Sequence, residues 1–159
     1  MNQTIMKKSM AVILILAMTF VFSISTINAN AATKEKTLTS TMKYLYKGAK
    51  DLPKLGNTKL TSENFESYAF IKKGKGYYGL ASEAMIGSIA HSVVLVRVPK
   101  GVSAKSVAKK IKANANPRKW ICVEAEKVTV KYHKKTVLLI MTNAKDAKKI
   151  AKNFDKLYD

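Results

Sequence analysis

Apolar residues recur at helical spacing from Leu38, through Met42, Leu45, Tyr46, Ala49 and Leu52, so residues 38–51 are predicted as an amphipathic helix ended by Pro53 and Gly56. Residues 54–64 read as polar connection. Residues 66–72 then read as a short strand, with Tyr68 and Phe70 on one side and Ala69 and Ile71 on the other. Lys73-Gly74-Lys75-Gly76 marks a turn. Residues 77–86 carry no clear period and are assigned a short helical turn.

Residues 88–98 give the clearest strand. Ala90, Val94, Val96 and Val98 lie on one face and Ile89, Val93 and Leu95 on the other, so it must be covered twice and sit centrally. Pro99-Lys100-Gly101 turns the chain and Ser103 is placed to cap a helix over residues 104–114. The buried stripe of that helix is Ala104, Val107, Ala108, Ile111 and Ala115, and Pro117 stops it. Residues 120–123 are expected to be extended. Val128, Val130 and Tyr132 alternate with lysine and threonine, which marks a strand wet on one face. After a turn at His133-Lys134-Lys135, residues 136–142 are again apolar on both sides. Asn143, with Asp146 three residues on, caps a last helix whose stripe is Ala147, Ile150, Ala151, Phe154 and Tyr158.

From residue 88 the order is therefore β-α-β-β-α, with the first and third strands central and the second at an edge. That burial pattern fits an α+β fold, an antiparallel sheet with helices, of circularly permuted ferredoxin-like type. Residues 66–72 would supply the fourth strand, the two later helices one sheet face, and the N-terminal helix the other. A cystatin-like helix on a curved sheet is the alternative.

The amino terminus changes the picture of where this domain works. Lys7 and Lys8 precede an apolar run over residues 10–24, and Ala29-Asn30-Ala31 follows. A basic n-region, an apolar h-region and an A-x-A site make a secretory signal peptide, and the run is shorter than the roughly 20 residues of a spanning helix. The expected organisation is a signal peptide at 1–31, a flexible leader at 32–37 and one domain at 38–159, secreted or held at the cell wall. With 29 Lys and Arg against 10 Asp and Glu the formal charge is +19, and the signal peptide removes only two lysines of this excess. The arginines are Arg97 and Arg118 alone, so the excess is lysine, suited to diffuse attraction more than bidentate recognition.

Two segments carry a resemblance. Ile86-Gly87-Ser88-Ile89-Ala90-His91-Ser92-Val93-Val94-Leu95-Val96-Arg97-Val98 and Asn116-Pro117-Arg118-Lys119-Trp120-Ile121-Cys122-Val123 resemble a family of small exported proteins from Gram-positive bacteria, many lipid-anchored. In that family a strand S-A-H-S-V-x-L-V-R-V precedes a helix, and a segment like N-P-R-K-W-I-C-V leads to a hairpin and last helix. The family is one of unknown function, so the resemblance implies no catalytic residues. This chain departs from it in lacking a lipobox cysteine and in its wealth of lysine.

Candidate chemistry is sparse. His91 and His133 are the only histidines and Cys122 the only cysteine, so neither a metal set nor an internal disulfide is expected, and no cofactor motif occurs. Cys122, between Ile121 and Val123, reads as a small buried hydrophobe. Its pairing with His91 is the one nucleophilic arrangement on offer, as in a cysteine hydrolase. The expected topology gathers Ser88, His91, Arg118, Lys119 and Asn143 at the N-terminus of the last helix as an anion site. Alternatively, Arg118 and Lys119 answer the carbonyls ending the preceding helix. Lys105, Lys109 and Lys112 on one helix and Lys145, Lys148, Lys149, Lys152 and Lys156 on the other would merge into one basic field. That field suits an anionic wall polymer, anionic lipid or extracellular nucleic acid, and with no aromatics interleaved it implies no base stacking. The expected function is a non-enzymatic envelope-binding domain. The alternative is an accessory protein working through its N-terminal helix or sheet edge, with charge serving solubility.

Overall fold

The computed structural model describes residues 37–158. The expected signal peptide and all of the expected leader except Thr37 lie outside the described residues. Thr37 itself is helical: α1 covers residues 37–45 and buries Leu38, Thr41, Met42 and Leu45 on one stripe. It ends earlier than the predicted position 51. A turn follows, in which Gly48 takes a positive φ of 70°.

The class is α+β, as expected, built on one antiparallel five-stranded sheet of order β1-β2-β3-β5-β4. The strands are β1 (Leu55–Lys59), β2 (Tyr78–Ala84), β3 (Ser92–Arg97), β4 (Lys127–His133) and β5 (Thr136–Thr142). Besides α1, the helices are α2 (Phe65–Ala69), α3 (Ala104–Asn114) and α4 (Ala144–Lys156). Every residue of β5, and of β3 up to Val96, is buried, so the two doubly apolar strands are central, and β4 takes an edge. β5 pairs antiparallel with both β3 and β4, which therefore run parallel to each other, with α3 as their crossover.

Upstream of residue 88 the sequence reading is corrected. Residues 65–69 form helix, not strand; Phe65 and Ala69 are buried and Phe70 closes the turn in the left-handed region. Residues 55–59, read as connection, form β1, and residues 77–86, read as a helical turn, contain β2. Strand propensity is weak in β2, which carries Gly79, Ala81 and Ala84, but β1 and β3 bond it on both sides and override that preference.

The helices do not lie as expected. One core unites Phe65, Val94, Val96, Val107, Ile111, Leu139 and Met141, and places α2 and α3 on one sheet face. The other unites Leu38, Met42, Leu45, Val93, Leu95, Ile140, Ile150 and Phe154, and places α1 and α4 on the opposite face. In a ferredoxin-like fold the two later helices would share a face. Here alternate residues of β3 and β5 feed two separate cores, so the molecule has three layers.

Candidate functional site

At the β5 C-terminus, three of the residues predicted to meet do so. Ser88, His91 and Asn143 line an open cleft of about 380 Å³, together with Thr142. Asn143 caps α4, accepting from Asp146 N–H at 2.8 Å and donating from its amide to the Asp146 carboxylate at 2.7 Å. The cap forms as expected, but the Asp146 carboxylate bonds the Asn143 side-chain amide and not its backbone N–H, unlike a capping box.

The cleft has the opposite sign from the expected anion site. Asp51, Glu124, Glu126 and Asp146 also line it. Ala144 N–H, a free donor at the start of α4, already donates to Glu126 Oε2 at 2.9 Å. The charge that a helix N-terminus attracts is thus supplied by the chain. Arg118 and Lys119 do not line this cleft. Arg118 Nε donates to Glu124 at 2.9 Å, and Lys119 Nζ to Glu83 at 2.6 Å, so neither answers an α3 carbonyl through those bonds. The Lys119 ammonium also lies 4.9 Å from the Tyr68 ring centre, 5.6 Å from that of Trp120 and 5.9 Å from that of Phe70. Its side chain is 16% exposed and that of Glu83 23%. Separating such a pair leaves a buried charge and costs about 3 kcal/mol, so Lys119 serves the fold rather than a ligand.

His91 is 1% exposed on the cleft floor. Its Nε2 lies 3.0 Å from the Tyr46 hydroxyl and its Nδ1 2.8 Å from Thr142 Oγ1. A neutral ring satisfies both by accepting one proton and donating the other, in either tautomer. Burial lowers the His91 pKa below its usual value, against the opposing pull of Asp146 and Glu83. Burial also raises the Tyr46 pKa far above the tyrosine range, a hydrogen bond from Ser82 opposes it, and Asp146 and Glu83 add to it. His91 therefore ties α1, β3 and β5 together as a neutral strut.

The Cys122–His91 pair, the less favoured of the sequence readings, is not assembled, since both ring nitrogens engage other partners and His91 is a hydrogen-bonded buried histidine. Cys122 is exposed, against the buried reading. Residues 120–123 form no strand; Trp120 packs on the core and the next two residues project outward. Among the described residues no group of three or more His, Cys, Asp or Glu side chains is placed to hold a metal ion.

The lysines divide. Lys105, Lys109 and Lys112 are exposed on α3, whereas Lys145, Lys148 and Lys152, also exposed, project from α4 on the other side of the sheet, with Lys149 half-buried and Lys156 exposed on the same helix. The single merged field is corrected to two. The α4 field gains what the sequence reading missed, namely Lys47 from the turn after α1. Asn153 holds the two together, donating to the carbonyls of Leu45 at 2.7 Å and Lys47 at 2.9 Å. Gly48 leaves room for Lys149, whose Nζ would lie 3.2 Å from a Cβ there. Among the described residues no ion pair engages Lys148, Lys149, Lys152 or Lys156; Lys145 meets Asp51 only at 3.9 Å, with both side chains exposed. Such a contact contributes at most a few tenths of a kcal/mol, roughly nothing against salt and water.

Comparison with known protein families, with curated proteins and with solved structures found no match for this chain. Among the described residues no helix is long and apolar enough to cross a membrane.

Proposed function

We propose that this chain is an exported, non-enzymatic binding domain of the cell envelope that holds polyanions through lysine. One observation carries the reading: α4 presents Lys148, Lys149, Lys152 and Lys156, none held in an ion pair among the described residues, and Asn153 fixes that helix to the turn after α1, beside Lys47. Lysine ammonium groups on flexible stems suit a polymer whose phosphates or carboxylates repeat without a fixed shape. An anionic wall polymer, anionic lipid and extracellular nucleic acid share that chemistry. The leader pattern and the resemblance to small exported Gram-positive proteins point to the same compartment.

Binding to a single-stranded polyanion should weaken steeply with salt. If roughly five phosphates are neutralised, log affinity falls against log salt with a slope of about −3.5, near 0.7 per phosphate. Titrations at several salt concentrations measure it. A flat response leaves the lysines as solvated surface and favours the accessory-protein reading, which the exposed side chains of Met85, Ile86, Ile89 and Ile121 support.

A further inference from the structure

Four of the five large hydrophobic side chains left exposed among the described residues, Met85, Ile86, Ile89 and Ile121, belong to two loops at one end of the sheet. The loops are residues 85–90, between β2 and β3, and residues 115–126, between α3 and β4. They meet along a mostly apolar groove of about 470 Å³, lined by Gly87, Ser88, Lys119, Trp120, Ile121 and Cys122. Ile121 is 102% exposed, yet the loop around it is firmly held. Ala125 N–H donates to Pro117 O at 3.0 Å across its base, Trp120 packs on the core, and Lys119 is pinned by Glu83 and three rings. A rigid apolar knob thus stands beside an apolar groove on the same patch.

Charge selects the occupant. On a chain of formal +19, this end gathers Asp51, Glu83, Glu124, Glu126 and Asp146. Arg118, Lys119 and Lys145, with Lys54 beside Met85 and Lys127 opposite Thr142, balance them, so two copies repel least when they meet here. An anionic bilayer is drawn instead to the lysine faces. A knob and a groove on one patch are what a two-fold contact needs, because each copy offers both halves. Arg118 and Glu124, 77% and 49% exposed, pair within each chain at 2.9 Å, so they bring no net charge to the contact. We propose that this end is a self-association surface through which two copies form a two-fold dimer, Ile121 of each seated in the groove of the other. The dimer is independent of the polyanion reading, but it leaves both lysine faces open and doubles them along one polymer.

The test is sedimentation velocity over a concentration series, on the full chain expressed with its leader and purified as the cell leaves it. The patch is small, so a weak dimer is expected, with mass rising toward twice the monomer as concentration increases. Ile121→Glu should weaken association roughly tenfold or more, as removal of a central anchor does, with an unchanged melting temperature because the side chain is outside the core. A short bis-maleimide should join two wild-type chains through Cys122, the one cysteine, and Cys122→Ser should abolish the doubled band. Monomer mass throughout overturns the proposal, and so does a dimer that survives Ile121→Glu or resists the Cys122 cross-link. A monomer that binds phosphatidylglycerol vesicles through Ile121 also overturns it, and gives the patch to a bilayer.

Discussion

Gly79 is where a single hydrogen decides packing. A Cβ there would lie 2.5 Å from Leu60 Cδ1 and 2.9 Å from Leu60 Cβ, both belonging to a side chain fixed in the core. Gly79→Ala should therefore destabilise the domain by about 1–3 kcal/mol, as overpacking does, measured by urea denaturation. His91 is legible in a different way. Its ring is held neutral, with a folded pKa below the ordinary 6.5, so the unfolded chain takes up the proton first. The sign follows: the contribution of His91 is complete above 6.5, falls as the pH drops from 6.5 toward the folded pKa, and levels off below it. His91→Gln should flatten this part of the stability–pH curve, read from melting temperatures across the acid range. An unaltered slope would assign the acid loss to other groups. Cys122 reverses its sequence reading, because its flanking Ile121 and Val123 suggested burial while the loop carries it outward. Diluted to where the chain is monomeric, it should react with a thiol reagent in the folded state at nearly the rate seen after unfolding, followed by absorbance.

At the scale of elements, periodicity located α3, α4, β4 and β5 because each has a regular stripe, and the caps at Ser103 and Asn143 add local bonds of their own. Ser103 Oγ accepts from Ser106 N–H at 3.2 Å. Replacing Asn143 by alanine should cost about 1 kcal/mol in thermal unfolding, since it frees both the Asp146 N–H and the carboxylate beside it. Most departures from the pattern lie before residue 88; after it, β3 begins only at Ser92 and residues 120–123 are loop. Upstream, β1 and β2 are short of branched and aromatic residues, and their strand state depends on partners in other strands, those of β1 more than twenty residues away. The segment 65–69 alternates well enough to suggest a strand, but it buries Phe65 and Ala69, four apart, as a helix does.

For the whole molecule, the separation of α3 and α4 onto opposite faces decides how charge is displayed. A polymer cannot bridge Lys109 and Lys149 as one surface, so reversal of each field should act separately. Lys148→Glu, Lys149→Glu and Lys152→Glu together should lower the salt slope by about 2, three phosphate contacts at near 0.7 each. Lys105→Glu, Lys109→Glu and Lys112→Glu should lower it less, because Asn153 anchors Lys47 beside the α4 field. Salt titrations of both variants distinguish the faces, and equal losses would mean that the polymer wraps the domain.

What the sequence determined by itself is what depends on neighbours along the chain. This covers the α+β class, the central places of β3 and β5, the edge place of β4, the two capped helices and the lysine excess. Local spacing and burial pattern contain that information. What only the tertiary structure decided is what depends on which side the chain passes. A doubly apolar strand must be covered twice, but its pattern does not say which helix covers which face. The same limit hid the cleft. Ser88, His91 and Asn143 were traced to one end of the sheet by strand direction, whereas Asp51, Glu124 and Glu126 arrive there through loops that carry no period. An expected anion site thereby became an acidic one, because a helix N-terminus draws the nearest carboxylate, and here Glu126 of the same chain reaches it.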